Sequence, residues 1–353
     1  MKISEYVSIG HPDKVADYIS EYILDKLIRQ DPKTRYALEV QVKDNYVTLG
    51  GEITTNAKTH YKKWVKEAIR EIGYTHEYAK VWGKGNTLDA DRVKVKTHIS
   101  KQSNDIAQGV DNSGWGDQGI FWGYADPKYP DRMPKDYKLA KELAQYIYNE
   151  AKQGYYENIF GLDIKTQYVL DDKENVKKII VAVPTKDPKP IKHLEEVIRE
   201  FWDGKNAEII INGTGTYVKH SSMGDCGTTG RKLAVDFYGG NCNVGGGSPW
   251  TKDGSKADLT LNLYARYLAR KFCKPLNTPV KVSIGCCIGR KEIDITVYNA
   301  KNNKVISSYT EKKTPEQLIK KFKLDEPIYA NMCKYGLFSF VDDLKWKYQE
   351  KNT

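Results

Sequence analysis

The chain has 353 residues, 40% hydrophobic and 11% aromatic, with a formal net charge of +10. That length asks for two or three domains, and that apolar content is enough for real cores. No run of eighteen apolar residues occurs, which excludes a membrane-spanning helix, and the opening Met1-Lys-Ile-Ser-Glu-Tyr-Val lacks a secretory leader pattern, so a cytoplasmic protein is expected.

The first expected element is a helix over 15–28, where Val15, Ile19, Ile23 and Leu27 recur at helical spacing. Gly10-His11-Pro12-Asp13-Lys14 leads into it. Pro suits the first helical position, and Asp is favoured in a first turn whether or not anything binds there. The free N–H groups of a helix start also attract anions. Asp13 therefore reads either as an ordinary first-turn residue or as an oxygen ligand for Mg²⁺. His11 reads either as part of that start or as a group stabilising charge on a leaving oxygen.

Residues 35–43 and 46–55 alternate as two strands around an Asp44-Asn45 turn. Glu39 sits between Leu38 and Val40, so its carboxylate faces water or meets a cation. Gly50-Gly51-Glu52 is either a bulge with a surface Glu or a close approach in which Glu52 receives an ammonium group. A helix is expected from about Thr59, with Trp64, Val65, Ala68, Ile69 and Ile72 on one face and Gly73 as its stop. The glycine-dense stretch from Lys101 to Gly119 predicts a mobile loop over 101–111, then a tight turn offering Asp117 and Gln118.

After a helix over 137–153, strands over 165–170 and 177–183 flank a turn, and Pro190 opens a helix carrying Leu194, Val197, Ile198 and Phe201. A third such order follows a helix over 258–272. Strands over 279–288 and 292–298 precede Thr314-Pro315-Glu316-Gln317, an N-cap with Pro at the first helical position and a Gln completing a capping box. The mixed-charge residues 309–323 read as solvated helix and loop faces. Hairpin-then-helix thus recurs three times. It predicts an α+β fold of three similar sheet-plus-helix domains, over 1–100, 112–218 and 219–353.

Met223-Gly-Asp-Cys-Gly-Thr-Thr-Gly-Arg-Lys232 packs three glycines, one carboxylate and two adjacent cations into ten residues. Such a loop can approach a ligand closely and meet a polyphosphate with a guanidinium fork and a point charge; the alternative is a turn with solvated charges. It is not a Walker A loop, because five residues separate Gly224 from Gly230 and Leu233 follows the lysine. Further on, Gly239-Gly240, Gly245-Gly246-Gly247 and Lys252-Asp-Gly-Ser-Lys256-Ala-Asp258 place two lysines at a helix entrance. The six cysteines include no C-x-x-C pair, and adjacent Cys286 and Cys287 suit a reduced compartment. The lysine excess is spread along the chain, so no nucleic-acid partner is expected.

In order, GHPDK, GGEITT, KQSNDI, GDQG, GDCGTTGRK, YGG, GGG and KDGSK resemble the S-adenosylmethionine synthetase (methionine adenosyltransferase) family in its bacterial and eukaryotic form, from Glu5 to about Phe338. The resemblance implies three similar domains around a pseudo-threefold axis and active sites between two subunits of a homodimer or tetramer. It implies that methionine sulfur attacks C5′ of ATP and that the released triphosphate is then split to pyrophosphate and phosphate. By the same resemblance His11, Lys165 and Arg231 are catalytic. Lys14, Asp163, Lys232, Ser248 and Lys252 hold ATP and its phosphates, Tyr217 stacks on adenine, and Asp225 holds the sugar or the methionine end. Glu52, Gln102, Asp117 and Lys256 contact methionine. Asp13 and Asp258 bind two Mg²⁺ per site, and Glu39 is linked to K⁺. The chain departs from the family in a shortened stretch between Asp111 and Gly114, in Gly213 and Thr216 beside the adenine aromatic, in Ser248 where Ala is usual, in the Asp258 helix opening and in a short C-terminus.

Overall fold

The computed structural model describes residues 1–101 and 114–339. Gln102 and all of the expected gating loop except Lys101 lie outside the described residues. Among the described residues three four-stranded sheets form the framework, each covered by helices.

In the first sheet, β2 (Arg35–Lys43) and β3 (Tyr46–Thr54) make the expected hairpin, with Tyr36, Leu38, Val40 and Val42 on the buried face. Its helix α2 (Tyr61–Ile72) buries Trp64, Val65, Ala68, Ile69 and Ile72, and ends at Gly73 with φ 115°. After the short α3 (His76–Trp82), β4 (Lys94–Ser100) runs parallel to β3 at the edge. The opposite edge is the two-residue β9 (Gly227–Thr228), which comes from far along the chain.

The second sheet repeats this plan. β6 (Lys165–Leu170) and β7 (Val176–Ala182) pair as a hairpin, α5 (Lys189–Phe201) follows, and β8 (Glu208–Ile211) lies parallel to β7. The remote edge strand is β1 (Lys2–Val7), covered with β6 by α4 (Lys135–Gln153). Leu194 and Ile198 are buried as expected, but Phe201, the last helical residue, is exposed. Neighbouring Trp202 packs on Tyr146 instead.

The third sheet departs from the plan. β10 (Val280–Cys286) and β11 (Glu292–Asn299) form a hairpin with β5 (Gly119–Ala125) at one edge, but β12 (Val305–Lys312) pairs antiparallel with β11 before any helix occurs. Part of the stretch expected as solvated helix and loop is therefore strand. β12 buries none of its side chains fully, so its sequence lacks the apolar alternation that marks a half-buried strand. The capping box is formed: Thr314 Oγ1 accepts the Gln317 N–H and Gln317 accepts the Thr314 N–H at the start of α8 (Pro315–Phe322).

Each sheet borrows an edge strand from another stretch of chain, and one helix ties the borrowings together. All of α1 (Pro12–Ile28) except Lys26 is buried. Its core is apolar, yet it carries Asp17, Glu21 and Asp25 four residues apart, hence on one face. Asp17 accepts the N–H of Gly230 at 2.9 Å, Glu21 that of Thr251 at 2.7 Å, and Asp25 those of Tyr329 and Ala330 at 2.9 and 3.0 Å. The last two donors begin α9 (Tyr329–Tyr335). Three segments from beyond the middle of the chain, at Gly230, Thr251 and Tyr329, are thus hung on one row of carboxylates, and losing a partner would leave a buried group unsatisfied.

Candidate active site at the start of α1

His11 is the N-cap of α1 and Pro12 its first residue. The His11 Nδ1 accepts the Asp13 N–H at 3.2 Å. With Nδ1 accepting, the proton of the neutral ring belongs on Nε2. His11 is 6% exposed. Burial drives its pKa down to about 3, with Lys232 pushing the same way, Asp13 opposing, and Lys165 and Lys14 adding to the fall.

Asp13 is the meeting point. One oxygen accepts the Thr228 N–H at 2.9 Å and stands 3.7 Å from the Arg231 Nε; the other lies 2.5 Å from the Lys232 ammonium. Burial alone would raise this carboxyl, but the Lys232 and Thr228 hydrogen bonds overcome it and hold the group below the usual carboxylate range.

The glycine-rich loop reaches this point because glycine allows it. A side chain at Gly227 would meet the Pro12 carbonyl oxygen at 2.1 Å, so only glycine lets the loop lie against the helix start. Gly230, with φ 72°, turns the chain so that its N–H meets Asp17 while Arg231 and Lys232 stay beside Asp13.

Asp163 and Tyr217 border this cluster. Asp163 accepts the Ser221 N–H at 2.9 Å, and its carbonyl accepts the Tyr217 hydroxyl at 3.4 Å. Burial pushes the Asp163 carboxyl up to about 7 against that N–H and the charge of Lys165, with Asp225 adding to the rise. Lys165 opens β6 opposite Val7 and is exposed; Asp225 is exposed, capping the Cys226 N–H at 2.8 Å.

Lys14 turns the other way. Its ammonium is buried 2.6 Å from Asp236 and 3.0 Å from Asp17, above the Trp250 ring, and Trp250 Nε1 donates to Asp236 at 2.8 Å. This cluster of four side chains joins α1 to α6 (Leu233–Asp236), which follows Lys232.

A second group lies around the start of α7 (Ala257–Leu276). Lys252 donates to the Ser248 carbonyl at 2.8 Å and stands 3.5 Å from Asp258. Asp258 accepts the Gly247 N–H at 2.8 Å, and Lys256 is the N-cap residue of α7. Asp117 and Asp258 both bear on the Cys286 thiol, which burial pushes up to about 12. Asp117 itself is exposed, accepting the Gln118 N–H at 2.7 Å. Glu39 and Glu52 point to the exposed face of the β4-β3-β2-β9 sheet. Glu39 accepts the hydroxyls of Thr229 and, at 3.1 Å, Thr251, which makes an all-oxygen cluster. Among the described residues no hydrogen bond or ion pair joins Asp258 to Asp13.

Three family models cover the chain in order: the S-adenosylmethionine synthetase N-terminal domain over 1–104, the central domain over 112–217 and the C-terminal domain over 220–348. The chain belongs to the S-adenosylmethionine synthetase family. It is 33% identical over 374 aligned positions to an S-adenosylmethionine synthase of Mesoplasma florum, with 99% of this chain and 97% of that protein covered. A solved structure described as an unusual S-adenosylmethionine synthetase from Campylobacter jejuni is similar with a TM-score of 0.87 at 30% identity, covering 99% of this chain and 98% of the other. The three-domain α+β architecture expected from the sequence is therefore that of the family. Among the described residues no helix is long and apolar enough to cross a membrane.

Residues that motif reading passed over also shape the site. Asp17, Glu21 and Asp236 hold the loop and α1 in place without offering a face to a ligand. Asp17 and Glu21 were signalled by standing with Asp25 in a row of acids four residues apart on a helix with a strong apolar face, a row that burial permits only where each acid has a partner; Asp236 lies outside that row.

Proposed function

We propose that the chain transfers the adenosyl group of ATP to the sulfur of L-methionine and then cleaves the released triphosphate to pyrophosphate and phosphate. The observation that carries this reading is the Asp13 cluster: an ionised, buried carboxylate, two loop cations and a neutral imidazole converge at one helix start. A thioether is already nucleophilic, so no general base is required; positioning and charge stabilisation supply the rate. The leaving triphosphate bears about four negative charges, and Arg231, Lys232 and Lys165 would surround it. His11 offers its Nε2–H to the departing oxygen while remaining neutral.

The donor set at Asp13 suits Mg²⁺, which binds through one or two carboxylates and substrate phosphates. The Lys232 ammonium already lies against that carboxylate, so it is presented to a cation. Mg²⁺, when bound, would neutralise phosphate charge there. Glu39 with Thr229 and Thr251 offers the hard oxygen donors that suit K⁺. Lys252 and Ser248 are assigned to the phosphates, Glu52, Gln102, Asp117 and Lys256 to methionine, and Asp258 to the second Mg²⁺. The reading includes a homodimer, or a tetramer built from it, whose sites lie between subunits, as the family resemblance implies. Lys14 we assign to the framework instead of the phosphates. Contiguous domains over 1–100, 112–218 and 219–353 remain our reading of the chain, with edge strands exchanged among them.

The test is incubation of the purified protein with ATP, methionine, Mg²⁺ and K⁺, followed by mass spectrometry. S-adenosylmethionine, phosphate and pyrophosphate, all dependent on methionine, are the expected products. Phosphate without the sulfonium would overturn the transfer reading, and no turnover would favour a relative that binds ATP or S-adenosylmethionine in a regulatory role. His11→Ala should lose sulfonium formation by roughly a hundredfold or more while cleavage of added tripolyphosphate falls less; equal loss of both would remove His11 from the bond being broken.

A further inference from the structure

His220 is 1% exposed and lies three residues beyond Tyr217, in a segment without regular structure. Its backbone N–H donates to the Asn86 carbonyl at 2.8 Å. Its Nδ1 lies 2.7 Å from the Val218 carbonyl, which can only accept, so the ring is protonated at Nδ1 and Nε2 is left as an acceptor. The Tyr78 hydroxyl stands 2.8 Å from that Nε2 and donates to it. The same hydroxyl accepts the Leu162 N–H at 3.1 Å. Trp82 packs edge-on against the imidazole with centroids 4.7 Å apart.

The two anchored segments are the ones that border the Asp13 cluster. Leu162 immediately precedes Asp163, and Val218 immediately follows Tyr217. Ser221, next after His220, holds φ 53° and gives its N–H to Asp163. We infer that Tyr78 and His220 form a positioning pair whose relay, Leu162 N–H to Tyr78 hydroxyl to His220 to Val218 carbonyl, sets the spacing of Asp163 and Tyr217 and thereby the affinity for the nucleoside end of ATP. This rests on the proposed function in taking Tyr217, the expected adenine-stacking residue, and the expected ATP contact Asp163 beside it as the nucleoside end of the site. Among the described residues no hydrogen bond or ion pair joins either partner to Asp13, Arg231 or Lys232, so the pair would act on one end of the substrate. Burial lowers the His220 pKa to about 4, so the tautomer that makes the relay persists at neutral pH.

The test compares binding of ATP with binding of inorganic tripolyphosphate, which has the phosphates and lacks the nucleoside, by calorimetry on the full-length protein. Tyr78→Phe removes one hydroxyl and strands two partners, and should weaken ATP about tenfold, the scale of one to two buried hydrogen bonds, with tripolyphosphate affinity changed less than about twofold. His220→Ala should act in the same direction. His220→Asn, whose side-chain N–H can still reach a carbonyl as Nδ1 does, should recover part of the ATP affinity. Equal weakening of both ligands, or unchanged ATP binding in a folded Tyr78→Phe protein, would overturn the pair's role. A kcat loss with ATP KM unchanged would also overturn it. Wild-type protein that binds ATP no better than tripolyphosphate would instead defeat the assignment of Tyr217 and Asp163, a failure visible before any variant is made.

Discussion

The groups around Asp13 and those around Asp258 differ in how much of their geometry the chain builds for itself. Asp13 is 1% exposed with both oxygens engaged, and the loop that engages them is hung on α1 through Asp17 and packed through Gly227. Asp117 and Glu52 are exposed, and the Lys252 ammonium spends one of its contacts on a backbone carbonyl two residues from Trp250. One group is organised by internal packing and stays in place without a ligand. The other draws on exposed side chains, Asp117 and Glu52 among them, which the proposed two-subunit site would cover. The difference also explains why one motif can be read as a phosphate cradle from sequence while the other is a set of separate residues.

The sharpest way to break the comparison is at Asp13. Asp13→Asn keeps an acceptor for the Thr228 N–H but takes the charge from Lys232, and turnover should fall by roughly 10²–10³, as for loss of one preorganised charge-stabilising group. A Mg²⁺ titration of the residual activity should shift to higher concentration; an unchanged titration would remove Asp13 from the metal. Next comes Lys14→Met, which strands Asp17 and Asp236 and should cost about 3–5 kcal/mol in urea unfolding, as for removal of one partner of a buried ion pair. If Lys14 instead serves the phosphates, ATP affinity of the folded fraction would drop while stability held. Glu52→Gln should act oppositely to Lys14→Met. Methionine KM should rise about tenfold, the scale of a lost charge-assisted hydrogen bond, with thermal midpoint unchanged. Dilution offers a control: specific activity should fall as sedimentation shows dissociation, and activity that persists in a monomer would mean that the second group needs no partner surface.

How much of this was legible follows from the same contrast. The hairpins 35–43 with 46–54 and 165–170 with 176–182, and the helix 61–72, follow apolar period and turn residues, which are local signals. β12 was not legible because its half-buried face carries Ser307, Tyr309 and Glu311, which show no apolar period to read. The borrowed edge strands were illegible for another reason: the pairing of β9 with β2 sets Gln41 against Thr228 and Val42 against Gly227, far apart in the chain, and two residues cannot advertise a partner. In the site, His11, Asp13 and Lys232 were found through motif chemistry and do meet. Lys14 was grouped with them by adjacency, yet a helix turns each successive residue by about 100°, and Lys14 faces the interior. The roles of Tyr78 and His220 depend on three segments meeting, which no spacing within one of them discloses.

The smallest effect concerns the carboxylate row of α1 and tests whether it is the framework of the better-organised group. Burial pushes the Asp25 carboxyl up to about 7, although the Tyr329 and Ala330 N–H groups oppose the rise. In the unfolded chain the same group titrates near 3.9. Between those values the folded state binds more protons than the unfolded one, so stability falls as pH rises. The contribution of Asp25 is fully present below about pH 4 and lost as pH climbs through 7. Asp25→Asn keeps an oxygen for the two N–H groups and removes the titration. Urea unfolding between pH 5 and 8 should therefore show a flatter profile in the variant, by at most about 1.4 kcal/mol per pH unit. Asp17, pushed by burial to about 7 as well, would keep some slope, so the two profiles should differ without the variant's becoming level. Superimposable profiles would mean that Asp25 folds as the carboxylate. The two N–H groups at the start of α9 would then be holding a charge, and the row would be a set of buried anions clasping backbone dipoles.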